Sequence, residues 1–371
     1  MNPLKAVWES IPTPALLINA SVLKRNIIRM QELANQNKVH LRPHTKTHRT
    51  PEIARMQLKQ GSHGITVATT GEAECMFDAG INNLFIANEI ADAEKLIRLK
   101  RLVALGCQLS VGVDHSYHVE LANQVFSGSA HSLNVLIEID VGDERAGVQD
   151  FEQALALAKL IEKSENVRFS GVFSHEGQSY GARSKEDCQR ISYESHSKTV
   201  QIANLLRSRG IEVRTVSVGS TPSILTSPVL AGVTEIRPGT YPLMDASQAA
   251  VINNFDSCAA TVLSTVISKP IKSRIVLNAG AKALTGQMVR SGITKNHGYG
   301  YLKEYGVWTN VFFDEHTVVN DEGFASKVQI GDKVEIIPNH ICPAVNLYDY
   351  FYLIEEGHYK KIPIECRGKS T

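Results

Sequence analysis

The sequence predicts a (β/α)8 barrel followed by a smaller β-rich domain. Three observations carry that expectation. Eight short apolar runs between residues 39 and 237 alternate with stretches of helical period, the pattern of parallel strands joined by crossover helices. The residues with chemistry to offer fall at the C-terminal ends of the first, fifth, sixth, seventh and eighth runs. In a closed barrel those ends share one face, the face on which barrel active sites are built. Beyond about residue 250 the helical period stops. A doubly wound sheet ranks second, because no Gly-x-Gly-x-x-Gly follows the first strand.

The elements follow in order. Pro12 and Pro14 bracket a short apolar run, Ala15 to Ile18. Asn19 and Ser21 offer N-caps for a helix to about Asn35, with Leu23, Ile27, Met30 and Ala34 on one face. Val39 to Leu41 is the first barrel strand. Thr50-Pro51 opens the next helix and Gly61 closes it. Strands at 64–67, 83–86, 109–113, 135–139 and 171–174 then alternate with helices at 71–79, 90–105, 117–126 and 150–163. A long helix at 185–209 leads to strands at 213–218 and 234–237, with a short helix from Pro222 between them. After these, Ala259 to Ser268, Ser273 to Asn278, Gly306 to Phe313 and Lys333 to Ile337 read as strands with turns and no regular helices between. The expected division is a barrel over residues 1–248 and a β-rich domain over 249–371.

Composition bounds the function. Hydrophobic content of 43% and charged content of 21% are those of an ordinary globular protein. The formal net charge of +1 speaks against a nucleic-acid partner. No run approaches the roughly 18 apolar residues of a membrane span, and the opening has no basic stretch followed by an apolar one. Six scattered cysteines in a chain of 371 residues suggest reduced thiols and a cytoplasmic protein.

The chemistry begins at Arg42-Pro43-His44-Thr45-Lys46-Thr47-His48-Arg49, directly after the first barrel strand. Like charges crowded around an ammonium favour its neutral form. A neutral lysine amine is the nucleophile that condenses with carbonyl compounds, pyridoxal phosphate included. Taken alone, the run reads equally as a solvated basic loop. Gly219-Ser220-Thr221-Pro222 follows the seventh strand, where barrels often hold phosphate. Its small residues would admit an anion to backbone N–H groups, and its hydroxyls add donors. An ordinary strand-to-helix cap has the same composition. Arg237-Pro238-Gly239-Thr240-Tyr241 follows the eighth strand, and Arg145 follows the fifth beyond Asp140, Asp143 and Glu144. His175-Glu176-Gly177-Gln178-Ser179-Tyr180 ends the sixth, and His175 there reads equally as a core histidine. His340 and Cys342 stand two apart, hence on one face of an extended chain. Imidazole with thiolate suits zinc.

Taken together, these motifs resemble the D-threonine aldolase and D-serine dehydratase family of alanine-racemase-like, fold type III pyridoxal-phosphate enzymes. The matching stretches are Arg42 to His48, Glu138 to Arg145, His175 to Tyr180, Gly219 to Pro222, Arg237 to Tyr241 and Pro338 to Pro343, in the family's order. The resemblance implies that Lys46 carries pyridoxal 5'-phosphate and later acts as the base at Cα. It implies that Arg145 lies beside the phenolic oxygen of the cofactor ring, and that Tyr180 and His175 lie against the cofactor. Gly219, Ser220, Thr221 and Tyr241 would hold its phosphate, and His340 and Cys342 a divalent metal such as zinc. It also implies a head-to-tail homodimer, and places the strand near 14–18 in the second domain. Asn278 departs from the aspartate that the family often carries there.

The expected activity is that of a lyase acting on a small D-3-hydroxy amino acid. Lewis-acid assistance to a departing hydroxide would give dehydration to an oxo acid and ammonia. Deprotonation of the same hydroxyl would give an aldol cleavage. The resemblance ties a His-Cys pair to dehydratases and a His-Asp pair to aldolases, which favours dehydration here. A racemase would need a second base on the opposite cofactor face, which the sequence does not show. A non-catalytic pyridoxal-phosphate carrier would lack the second domain and the metal pair.

Overall fold

The computed structural model describes residues 7–371 and divides the chain into two compact units. One comprises Arg29–Lys46, Thr50–Gly239 and Gly368–Thr371; the other holds the chain up to Ile28, Thr47–Arg49 and Thr240–Arg367. Strand β1 (Ala15–Asn19) belongs to the latter.

The first unit is the eight-stranded parallel barrel. Its strands are β2 (His40–Leu41), β3 (Ile65–Val67), β4 (Asn83–Glu89), β5 (Gln108–Val113), β6 (Leu133–Glu138), β7 (Val167–Phe173), β8 (Thr215–Val218) and β9 (Glu235–Ile236). The hydrogen-bonded order runs β2-β9-β8-β7-β6-β5-β4-β3. The two ends meet through a parallel bridge between His44 and Thr66, with Thr66 N–H donating to Pro43 O at 2.8 Å. All eight expected strands are present. The helices between them start where the sequence offers caps: Asp92 for Ala93–Ala104, Asp150 for Phe151–Lys163, Ser184 for Lys185–Ser208. Gly61, at φ +119°, ends the helix Pro51–Gln60.

One apolar layer inside the barrel is Phe85, Leu136 and Phe173, with the two rings edge to face at 5.1 Å between centroids. Above it the interior is polar. Glu235 Oε2 accepts from Arg42 Nε at 2.7 Å, and Ser217 Oγ donates to Glu235 Oε1 at 2.6 Å. Arg237 donates to Ser217 Oγ and to Ser174 O, both at 2.7 Å, with its guanidinium over the Phe85 and Phe173 rings. Arg42 also donates to Asn83 Oδ1 at 2.7 Å. This chain of contacts cross-links β2, β4, β8, β9 and the end of β7. Gly171, at φ +152°, lets β7 lie against β8, for a Cβ there would meet Thr215 O at 2.0 Å.

The second unit is a mixed sheet of β1 with β10 (Ala260–Ile271), β11 (Arg274–Leu277), β12 (Tyr301–Leu302), β13 (Val307–Trp308), β14 (Val311–Phe312), β15 (Thr317–Asn320), β16 (Lys333–Ile337), β17 (Tyr350–Glu355) and β18 (His358–Pro363). β1 runs antiparallel to β10 and parallel to β17, so a strand from the start of the chain sits inside this sheet. Trp8, Ile11, Leu17, Leu263 and Tyr352 are buried together.

Four expectations change. The run Gly306 to Phe313 is two strands, because Asn310 leaves the line to donate to Val318 O. Short helices, Ala246–Val251, Ala281–Leu284, Glu322–Lys327 and Ile341–Val345, do interrupt the strands; each is too short for a visible period. The hairpin β17–β18 closes a region in which no strand was expected. Reduced thiols throughout are not found: Cys75 and Cys366 are disulfide-bonded, while Cys107, Cys188, Cys258 and Cys342 are free. Tertiary folding, not spacing, decides which thiols meet a partner. No described helix is long and apolar enough to cross a membrane.

The buried Arg42–Glu235 pair is 11% and 5% exposed on its side chains. Burial disfavours the Glu235 carboxylate, yet Arg42 and Ser217 hold its pKa below the ordinary value. Arg42→Ala strands that charge in the barrel. It should cost about 3–5 kcal/mol in denaturant unfolding, and Arg42→Leu combined with Glu235→Leu should cost less.

Candidate active site

Lys46 sits in the tight turn Thr45–Thr47 after β2, half-buried at the C-terminal mouth of the barrel. The cations expected to crowd it are placed otherwise. Arg42 is engaged by Glu235 and Asn83, and Arg49 donates to Asn346 Oδ1 at 2.9 Å. His44 is a structural residue whose Nδ1 accepts from Lys46 N–H at 3.4 Å.

A residue from further along the chain lies beside Lys46. His175 lies close enough to Lys46 and Arg145 for both to act on it. Desolvation, then Lys46, push its pKa down to about 3. It is therefore neutral near pH 7. Its Nδ1 is 3.2 Å from Gly219 O, so Nδ1–H donates to that carbonyl and Nε2 carries the lone pair. Tyr180, in the turn Gly177–Gly181, has its ring centroid 6.4 Å from that of His175. Arg145 is exposed on one side and pairs with Glu138 at 3.6 Å and Asp143 at 3.5 Å.

The Gly219 loop is built differently from a simple anion nest. Gly219 N–H donates to Glu176 Oε1 at 3.1 Å, and Ser220 N–H to Ser223 Oγ at 3.2 Å. Ser223 Oγ in turn donates to Glu176 Oε2 at 3.1 Å. Gly219, at φ +131°, approaches β9 so closely that a Cβ would stand 3.0 Å from Arg237 N. Ser220 caps the helix Thr221–Thr226, and its Oγ lies 2.9 Å from Ser179 Oγ. Glu176, fully buried with His196 at 3.4 Å, is thus the anchor of the loop. Burial opposes its charge, but His196, His175 and Arg237 together outweigh burial and bring its pKa down to about 2.

The second unit holds the other expected residues. Tyr241 is buried, and His340 and Cys342 are half-buried. The pair is not on an extended segment. His340 is the extended N-cap of the helix Ile341–Val345, and Cys342 is in that helix. His340 Nδ1 meets Gln287 Oε1, which makes Nδ1 the donor and leaves the lone pair on Nε2, the arrangement of a metal-ligating histidine. Cys342 Sγ is 3.2 Å from Thr47 Oγ1 and 4.0 Å from Thr240 Oγ1, hydroxyls able to support a thiolate. Asp245 secures the turn by accepting from Ile341 N–H at 3.0 Å. No group of three or more His, Cys, Asp or Glu is placed to hold a metal among the described residues. The protein supplies two donors, and a metal here would keep the rest of its coordination sphere open.

Barrel residues Lys46, Arg145, His175, Tyr180 and the Gly219–Thr221 loop therefore lie in one unit, and Tyr241, His340 and Cys342 in the other. Sequence reasoning missed Glu176, His196, Asp245, Gln287 and the acidic ends of β4 and β6. A carboxylate ending an apolar strand was the available sign for Glu89 and Glu138.

Comparison with known proteins shows the family. The alanine racemase N-terminal domain family matches residues 18–246, and a serine dehydratase domain matches residues 259–354. The chain is 32% identical to the D-threonine aldolase of an Arthrobacter species, over 97% of this chain and 94% of that one. It is 30% identical to the D-serine dehydratase of Dictyostelium discoideum, over 96% and 97%. The structure of D-threo-3-hydroxyaspartate dehydratase from Delftia sp. HT23 superposes with a TM-score of 0.89 at 29% identity, covering 96% of this chain and 98% of that one. A variant of that enzyme has been solved in a metal-free form.

Because Glu176 titrates below its ordinary value when folded, its contribution to stability is complete above about pH 4.5 and is lost as pH falls toward about 2. Glu176→Gln should destabilise the protein at pH 7 by on the order of 3 kcal/mol. The gap from wild type should narrow at pH 3, with denaturant midpoints at both pH values as the measurement.

Proposed function

The chain belongs to the alanine-racemase-like pyridoxal-phosphate lyases of D-3-hydroxy amino acids, the family of D-threonine aldolase and D-serine dehydratase, and within it we propose that this member dehydrates a D-serine-like substrate to an oxo acid and ammonia. The observation that carries this choice is the donor pair itself. Cys342 stands beside His340 where an aldolase of this family carries aspartate, and two hydroxyls lie around its sulfur.

Pyridoxal phosphate, when bound, supplies an electron sink for charge leaving the substrate α-carbon. The residues present fit it. Lys46, with its amine at the barrel mouth, would hold it and then serve as the base for the α-proton. Arg145 offers a cation to the phenolic oxygen, where negative charge gathers. His175 stays neutral and places no competing positive charge beside Lys46. Tyr180 bounds the pocket on the His175 side. Hydroxyls of Ser220 and Thr221 would serve the phosphate, since the Gly219 and Ser220 amides are given to Glu176 and Ser223, and the family resemblance gives Tyr241 the same part.

His340 Nε2 and Cys342 Sγ would hold a divalent metal, whose chemistry there is Lewis acidity toward the leaving β-hydroxyl. Thiolate and imidazole together favour zinc over magnesium. The metal-free form of the Delftia variant supports metal dependence in the family. Aldol cleavage is the second reading, favoured by the resemblance to D-threonine aldolase. A head-to-tail homodimer completes the proposal. Sedimentation checks it, and a monomer with full activity contradicts it.

Two outcomes follow. The purified protein should be yellow, borohydride should fix the cofactor covalently to Lys46, and Lys46→Ala should remain folded but inactive. A protein that takes up no pyridoxal phosphate would exclude the reading.

Chelation should abolish turnover without bleaching the colour, and zinc should restore it. Cys342→Ala should lose metal and activity together. Cys107→Ala should lose neither; Cys107 is the suitable control because Cys75 is disulfide-bonded. D-Serine or D-threonine should yield pyruvate or 2-oxobutanoate with ammonia, and the L-enantiomers nothing. Glycine and acetaldehyde from D-threonine would select the aldolase reading.

A further inference from the structure

Three acidic residues end successive strands at the mouth of the barrel. Glu89 ends β4, Asp114 follows β5, and Glu138 ends β6. In a barrel the inward residues of one layer come from alternate strands, so β4 and β6, with β5 between them, face one another. The Glu89 and Glu138 carboxyls are within hydrogen-bonding reach. Glu138 is 4% exposed. Glu89 Oε1 is buried and has no hydrogen-bond donor among the described residues.

Two ionised carboxylates cannot bond to each other, for neither has a hydrogen. One shared proton removes the repulsion and satisfies the orphaned oxygen. The neighbours decide which residue carries it. Asp114 is committed as an anion, accepting from Gly147 N–H at 3.0 Å and pairing with His118 at 3.1 Å. It faces Glu89. The cations face Glu138 instead: Arg145 at 3.6 Å, and Arg237 from the end of β9. Burial, with Glu138 and Asp114 as further causes, raises the Glu89 pKa to about 9.

We propose that Glu89 bears the shared proton and donates a hydrogen bond through it to Glu138, and that Glu138, accepting that bond, is the positioning residue that holds the Arg145 guanidinium at the cofactor. This rests on the reading under which Arg145 lies beside the cofactor ring. The alternative partner for Arg145 is Asp143, two residues before it on the same loop and 3.5 Å away. That carboxylate travels with the loop and gives no fixed point. Glu138 is anchored in a buried strand. Glu89 is thereby a proton-bearing brace one step removed from the cofactor.

The experiment uses the holoenzyme and whichever D-3-hydroxy amino acid turns over fastest. Glu138→Gln removes the anion that faces Arg145. Its kcat should fall on the order of tenfold with KM nearly unchanged, and the absorbance band of the bound cofactor should shift from that of wild type before substrate is added, since the arginine acts on charge at the ring; an unshifted band would count against the positioning role. Glu89→Gln offers an amide N–H in place of the carboxylic O–H and should behave as wild type. Glu89→Leu offers no donor and should fall with Glu138→Gln. In an Arg145→Ala background, Glu138→Gln should add less than about a twofold further loss, the non-additivity expected of residues that act through one another. Glu89→Gln as impaired as Glu89→Leu would overturn the shared proton. A wild-type kcat in Glu138→Gln, or full additivity with Arg145→Ala, would overturn the positioning role. Should Glu138→Gln not fold, the comparison of Glu89→Gln with Glu89→Leu decides alone. A wild-type protein that binds no pyridoxal phosphate would overturn this proposal together with the functional reading. A yellow, active wild type with insensitive Glu138 would overturn this proposal only.

Discussion

The barrel depends on a charge placed where charges are costly. Glu235, on a two-residue strand, accepts from Arg42 on one neighbouring strand and from Ser217 on the other, and Ser217 also accepts from Arg237. β2 and β9 are too short to hold register by backbone bonds alone. The side-chain chain supplies what they lack. Removing any one member would leave a buried group unpaired, so the members stand together. Lys46 and the Gly219 loop hang on the strands locked in this way.

The end of β7 shows how one strand serves two purposes. His175 and Glu176 are adjacent, where the chain turns out of β7 into the Gly177–Gly181 turn, yet their side chains meet different neighbours. His175 turns toward Lys46 and Arg145, and the two cations with desolvation keep it neutral. Glu176 turns toward the Gly219 loop, and His196 keeps it charged. A neutral imidazole and an ionised carboxylate are thereby set side by side by their surroundings rather than by their own acidities.

His340 and Cys342 are supported from within their own unit. Gln287 orients the imidazole, Asp245 holds the turn through Ile341 N–H, and hydroxyls attend the sulfur.

Much of this protein was legible in the sequence. The alternation of apolar runs and helical periods determined the barrel, because burying one face of each element demands that pattern. The short motifs after strands one, five, six, seven and eight determined where chemistry would gather, since strand ends in a barrel converge whatever their separation in the chain. Local spacing misled where partners were distant. Arg42, four residues from Lys46, belongs to Glu235, while His175, more than a hundred residues away, lies close enough to feel the Lys46 charge. The His340–Cys342 pair proved to start a helix, because Asp245 captures the amide between them. Only the tertiary structure decided which carboxylate anchors the Gly219 loop, which thiols are oxidised, and that Glu89 and Glu138 meet. Each of these depends on desolvation and on charges a few ångströms away. Those quantities exist only once the chain has closed on itself, so no window of sequence contains them.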